Sequence, residues 1–323
     1  MSRLFSAFTL FLLALPSTLA LAEVRVLTSI KPLQLIAAAV QDDLGKPEVL
    51  LPPGASPHHY ALRPSDVRNV RDAELLYWIG ADLESFLPRV LAGRSKPHVA
   101  VQNIPGMSLR HFGDSPEAHK QESAAHDEHG DHDEHEAEEA ADEHDHDHRP
   151  GTLDAHLWLL PANARVIAEK MAVDLAAADP ANAARYRANA QAFGERLAAL
   201  DERLKSRLYD LKGKPYFVFH EAYDYFEAAY GLEHAGVFSV ASEVQPGARH
   251  VAAMRERLQQ AGPTCVFSEP PVAPRLAKTL TAGLPVTLAE LDAMGGALPV
   301  DASAYETLLE NLADELAGCL EGL

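Results

Sequence analysis

Short β-branched runs alternate with helix-length segments along this chain, and that alternation leaves few folds open to it. Runs of the first kind lie at 24–30, 49–51, 75–79 and 98–101, with helical patterns at 32–44, 64–72 and 82–91 between them. The same order resumes at 216–219, 237–240, 264–267 and 286–291, interleaved with helical patterns at 221–230, 248–261, 274–282 and 304–318. Strand and helix in strict alternation build βαβ units, whose strands pair in parallel. Between the two series, 161–178 reads as one helix. Asp179-Pro180 then reads as an N-cap followed by proline at the first helical position. From there to 211, Phe193, Leu197, Leu200, Leu204, Leu208 and Leu211 recur at intervals of four, three, four, four and three, one continuous apolar helix face. About 30 residues at 1.5 Å each give a rod of about 45 Å, long enough to run the length of a domain pair. Gly194 within it costs about 1 kcal/mol against alanine and marks close packing or a slight bend. The expected fold is α/β: two parallel-sheet lobes joined by one long rigid helix. A helix is a stiffer connector than a Gly/Ser hinge, so large jaw-like closure is not expected.

The first 22 residues stand outside this pattern. Arg3, the apolar run 4–15, Pro16 and the small-residue end Ala20-Leu21-Ala22 follow the order of a secretory signal peptide cleaved after Ala22. The alternative is an uncleaved anchor, but the run is shorter than the ~20 residues that span a bilayer. No cysteine follows the signal, so no lipid anchor is expected at that site. Export to an oxidising compartment makes Cys265 and Cys319, the two cysteines of the chain, the expected pair, two buried thiols being the alternative. Closing that loop would stabilise the fold by up to roughly 4 kcal/mol.

A third feature interrupts the first α/β series. Nine of the sixteen histidines fall between 111 and 149, among fifteen Asp or Glu and two basic residues, Lys120 and Arg149. Its net charge is therefore about −13 out of the chain's −19. With almost nothing apolar to bury, such a stretch cannot offset the entropy of ordering and is expected to be mobile. His126, His129, His132, His135, His144, His146 and His148 offer imidazoles beside carboxylates, a ligand set for zinc, nickel or copper in weak individual sites. The alternative is a solvated acidic linker whose histidines are incidental. The remaining charge of about −6 forms no basic stripe, so nothing points to nucleic acid. The chain thus divides into a signal peptide (1–22), an N-terminal lobe (23–160) carrying the insert at about 113–150, a helical segment (161–212) and a C-terminal lobe (213–323).

Seven histidines lie outside the run, and three stand where a parallel sheet places ligand sites, beyond the carboxyl ends of strands. His58 follows a strand in Pro57-His58-His59-Tyr60, His156 heads the apolar segment after Asp154, and His220 ends the strand at 216–219. Taken singly, each reads more readily as a structural histidine. Pro57-His58-His59-Tyr60 followed by Pro64-Ser65-Asp66, however, resembles the Pro-His-x-Tyr-x-x-x-Pro-Ser-Asp motif of the metal-binding proteins of ABC importers. Asp154-x-His156-Leu157-Trp158 and Phe219-His220-Glu221-Ala222-Tyr223 are similar to that family's second and third ligand segments. Leu291-Asp292-Ala293-Met294-Gly295 resembles its fourth. The resemblance covers nearly the whole mature chain and is strongest to the zinc branch, the periplasmic zinc-uptake solute-binding proteins. That branch carries a His/Asp-rich insert between its first and second ligands and a disulfide placed as Cys265 and Cys319 would be.

The resemblance implies a metal site in the cleft between the lobes, with His58, His156 and His220 as ligands. Manganese-binding relatives have Glu at the position of His220; a third imidazole favours zinc. Asp292 matches the family's carboxylate, and either it or water is expected to fill the fourth position, since Pro57 stands where some zinc members carry Glu. His59 neighbours the ligand, but the spacing to Tyr60 favours His58. Tyr60 and Glu269 are candidates to support the ligands from behind. Imidazole binds metal only when neutral, so affinity should weaken below about pH 6.5. The expected function is capture of Zn²⁺ in the periplasm and delivery to a membrane permease driven by an ATPase, by a monomer that is not an enzyme. The alternatives are a periplasmic zinc buffer and a zinc hydrolase with a three-His site. The His-Glu-x-x-His pattern of such enzymes fails here, because position 224 is Asp.

Overall fold

The structure is a computed structural model that describes residues 23–113, 151–239, 248–270 and 274–323. The expected signal peptide and nearly all of the His-rich run lie outside the described residues.

The first half comprises β1 (Val26–Thr28), α1 (Lys31–Gln41), β2 (Glu48–Val49), α2 (Pro64–Asp72), β3 (Leu75–Trp78), α3 (Pro88–Leu91) and β4 (His98–Ala100). Its strands form one parallel sheet in the order β2-β1-β3-β4, with Leu27 opposite both Glu48 and Leu76. Helix α1 is buried over Pro32 to Gln41, on all sides, because it is mostly apolar and packs among other helices, its two glutamines donating to the Pro47 and Val24 carbonyls. Two long helices follow, α4 (Pro161–Ala178) and α5 (Ala183–Leu208). The second half comprises β5 (Tyr216–His220), α6 (Asp224–Tyr230), β6 (Gly236–Ser239), α7 (Ala248–Ala261), β7 (Thr264–Ser268), α8 (Pro274–Thr281), β8 (Val286–Glu290) and α9 (Ala304–Leu320). Its strands form a second parallel sheet, β6-β5-β7-β8. No described helix is long and apolar enough to cross a membrane.

The expected pair of parallel-sheet units joined by a long helix is therefore observed. Helix α5 has 26 residues, with 3-10 turns at Pro180–Asn182 and Tyr209–Leu211 continuing it at both ends. The stripe from Phe193 to Leu211 is buried throughout, at 4 % exposure or less. Its polar side pairs with α9 and its C-terminal flank: Arg196 with Glu306 at 2.6 Å, Arg203 with Glu310 at 2.8 Å, and Arg207 with Glu321 just past the helix end. Helix α1, from the first half, packs against α4, α5 and also α9 from the second. One hydrophobic core consequently runs without a break from Val24 to Leu320, and a smaller one, including Phe217, Phe238 and Leu258, lies under α7 and α8. Cys265 on β7 and Cys319 on α9 form the expected disulfide, closing a separation of 54 residues.

One expected element is corrected. The helix expected over 82–91 is reduced to a single turn, Pro88–Leu91. Pro88 has no amide to donate back to the preceding turn, so it fits the first helical position, and the helix begins there. Upstream, the buried Glu84 carboxylate accepts from the Ile79 amide (3.3 Å) and the Gly80 amide (3.0 Å), turning the chain back on the end of β3.

Candidate metal centre

His58 lies on the loop between β2 and α2. The edge pairing of β2 continues past the strand, where the Leu50 amide donates to the Thr28 carbonyl (2.8 Å) and that of Leu51 to Ser29 (3.1 Å). Burial of Leu50 and Leu51 anchors the start of the loop. Its other end is held by Asp66 in the first turn of α2, which accepts from the Arg63 amide (2.8 Å), the Arg63 Nε (3.1 Å) and the Tyr60 hydroxyl (3.0 Å). Burial alone would raise the Asp66 carboxyl, but these donors outweigh it and hold it below its ordinary value. The Tyr and Asp of the motif thus brace the loop that carries the histidine, through a bond six residues long in sequence. His58 is buried and its neighbour His59 exposed.

His156 is positioned from a stem at the base of the His-rich insert. His111 bridges Leu153 in antiparallel fashion, the Phe112 amide donates to Thr152 (3.0 Å), and the Asp154 amide donates to Arg110 (2.9 Å). The Tyr225 hydroxyl ties this stem to α6, accepting from the Arg110 amide (2.8 Å) and donating to the Asp154 carbonyl (3.0 Å). Asp154 Oδ1 then lies 2.9 Å from the His156 amide and 2.8 Å from its Nδ1. Burial, then the nearby Asp224 carboxylate, push Asp154 well above the usual carboxylate range. A proton between Oδ1 and Nδ1 leaves Nε2 with a lone pair, the arrangement that fixes a metal-binding tautomer. Sequence reasoning quoted Asp154 but gave it no role; the Asp-x-His spacing was the signal.

His220 is the last residue of β5, at the carboxyl end of a central strand. Val218 stands opposite Phe267 on β7, so the next position on that face opposes Glu269, whose Oε2 lies 3.2 Å from His220 Nδ1. Both histidines thus have a carboxylate behind the ring.

The three imidazoles converge from three separate segments. His58, His156 and His220 are all buried, and each offers one nitrogen within 4.8 Å of the others. Their ring centroids are 5.5, 5.2 and 4.9 Å apart. Tetrahedral zinc with bonds near 2.05 Å needs nitrogens roughly 3.3 Å apart, a closure of less than about 1 Å per ring. Asp292 lines the same cavity. Its Oδ1 accepts from the amides of Met294 and Gly295 and its Oδ2 from that of Gly296, each at 2.9 Å. Gly295 has φ +62°, and a Cβ there would approach Leu298 to 3.0 Å, so this turn needs glycine. Trp158 Nε1 donates to the Ala293 carbonyl (2.9 Å), locking the turn to the His156 segment. The cavity holds about 470 Å³ and opens between the carboxyl ends of the two sheets.

Residues 26–319 match the family described as zinc-uptake complex component A, periplasmic (ZnuA). The chain is 36% identical to the high-affinity zinc uptake system protein ZnuA of Yersinia pestis, covering 93% of this chain and 92% of that one. It is 38% identical to the protein of the same description from Brucella abortus (strain 2308), covering 94% of each. Among solved structures it superposes on a crystal structure of ZnuA with a TM-score of 0.72 at 21% identity, covering 93% of this chain and all of that one. The solute-binding protein FpvC of Pseudomonas aeruginosa, in complex with Mn²⁺, gives the same TM-score at 20% identity, covering 93% of this chain and 99% of that one. These two structural likenesses establish the fold.

Proposed function

This chain belongs to the family of periplasmic zinc-uptake components, and from that premise we propose that it captures Zn²⁺ through His58, His156 and His220 and delivers it to an ABC importer. Proteins of this family are solute-binding proteins, not enzymes. What carries the reading of the site is the convergence of three buried imidazoles, two of them backed by carboxylates, at the carboxyl ends of the strands. An all-nitrogen set suits zinc better than the oxygen-rich surroundings that manganese favours. Asp292 lies outside the cluster of ligand atoms within 4.8 Å of one another and its carboxylate caps a turn, so the fourth position is read as going to water or another small ligand. The carboxylates of Asp154 and Glu269 orient the rings and raise their basicity.

The His-rich run is read as auxiliary capture. His126, His129, His132, His135, His144, His146 and His148 would hold zinc loosely and raise its concentration near His156, eight residues beyond His148. The protein would act as a monomer and meet the importer's permease, whose ATPase drives transport.

The test is a competitive zinc titration of the mature protein against His220→Ala. Loss of one of three ligands should weaken the tight site by at least about a hundredfold, leaving the looser binding of the run. Equal affinity in the two proteins would sink the proposal.

A further inference from the structure

The cavity is far larger than its proposed cargo. A water molecule occupies about 30 Å³, whereas 470 Å³ lies in the range of pockets that hold small organic ligands. Its walls are chiefly apolar, with Pro52, Pro53, Pro57, Pro270 and Met294 among them. A hydrated cation has no use for such walls; an organic ligand does.

The charge of the cleft points the same way. Three neutral imidazoles leave a bound zinc ion with its full double charge. Glu269, hydrogen-bonded to His220, and Asp292, capped by three amides, each keep one formal negative charge, which together offset the two of zinc. The remaining charged side chain in the lining is Lys31, at the start of α1. No hydrogen bond or ion pair of Lys31 is found among the described residues, and burial holds its ammonium below the ordinary value with no carboxylate opposing the shift. With zinc offset by those two carboxylates, the charge of Lys31 remains without a counter-ion among the described residues, and an anion bound in the cavity would be attracted to both cations. The fourth coordination position of zinc and the ammonium therefore ask for the same thing.

We propose that this cleft takes zinc together with a small organic carboxylate, one carboxylate oxygen completing the zinc coordination and a second anionic group meeting Lys31. The ligand class is a small chelating polycarboxylate, and the apolar rim covers its carbon skeleton. This rests on the zinc reading above, and its failure is separable from failure of that reading.

The experiment is calorimetric titration of citrate into the zinc-loaded mature protein, followed by native mass spectrometry of the product. The expected species carries one zinc at the tight site and one citrate. Citrate should not bind the zinc-free protein, and Lys31→Ala should weaken its binding by about tenfold, as loss of one charge-assisted hydrogen bond would. The proposal is overturned if citrate strips the zinc and leaves with it. It is equally overturned if the loaded protein carries zinc alone at millimolar citrate, or if Lys31→Ala or the zinc-free protein binds citrate as the loaded parent does. Zinc titration without any carboxylate, compared between the parent and His220→Ala, reports on the underlying zinc reading by itself.

Discussion

His234 shows what a histidine does in this protein when it is not gathered with the other three. Its Nδ1 lies 3.0 Å from both oxygens of Glu227, which also accepts from the Tyr216 hydroxyl at 2.5 Å. Burial alone would lower its pKa, but Glu227, with Asp224 and Glu221 behind it, raises it to about 9. Because the folded value exceeds the unfolded one, the ion pair contributes fully below about pH 6.5 and is lost as the pH rises through about 9. The expected contribution at pH 6 is on the order of 3 kcal/mol. Denaturation of His234→Gln should therefore lack the fall in stability between pH 6.5 and 9 that the parent shows; parallel pH profiles would refute the assignment. His58, His156 and His220 were legible in the sequence because each sits in a motif. Glu269 was legible as a candidate support from its place at a strand end, but its pairing with His220 follows only from the strand register; Asp154 was legible in the local Asp-x-His spacing, though its role was not read from it. His234 carries no motif, and its role follows from a buried Glu227 seven residues earlier that only packing reveals.

At the scale of elements, periodicity was the reliable guide. The six stripe residues of α5 are all buried, and α2, α4 and α7 run as their patterns indicated. It failed at 82–91, where the apolar spacing is helical but Pro88 and the inward turn of Glu84 decide otherwise. Burial of Glu84 raises its carboxyl to about 7, the mark of a side chain enclosed by the chain that turns round it. The antiparallel stem of His111 and Leu153 was not foreseen, since two residues give no alternation to read. It joins the two ends of the insert at a point braced by Tyr225, so the insert can be shortened without moving His156. Deletion of 119–148 should leave the affinity of the tight site within about twofold, since closing a shorter loop changes its entropy little. It should nevertheless slow growth of cells under zinc starvation. Unchanged growth would remove the capture role from the run while leaving the three-histidine site in place.

The whole molecule is more unified than two lobes and a connector suggest. Helix α1 touches α9, the main core is shared by both halves, and the Cys265–Cys319 disulfide ties β7 to the helix that borders both. On the chain-entropy estimate that bond contributes up to roughly 4 kcal/mol. Rotating one half against the other would open this core, so zinc loading should change the radius of gyration by less than about 1 Å, as measured by small-angle X-ray scattering. A larger contraction would mean that the shared core is not a rigid seat. The rigidity bears on how an importer could tell a full carrier from an empty one. With the outline nearly constant, what would change on loading is local: a double positive charge added to a cleft lined by Glu269 and Asp292. The permease would then sense cargo as an altered electric field, much as one detects a coin in a closed fist by its weight rather than by the shape of the hand.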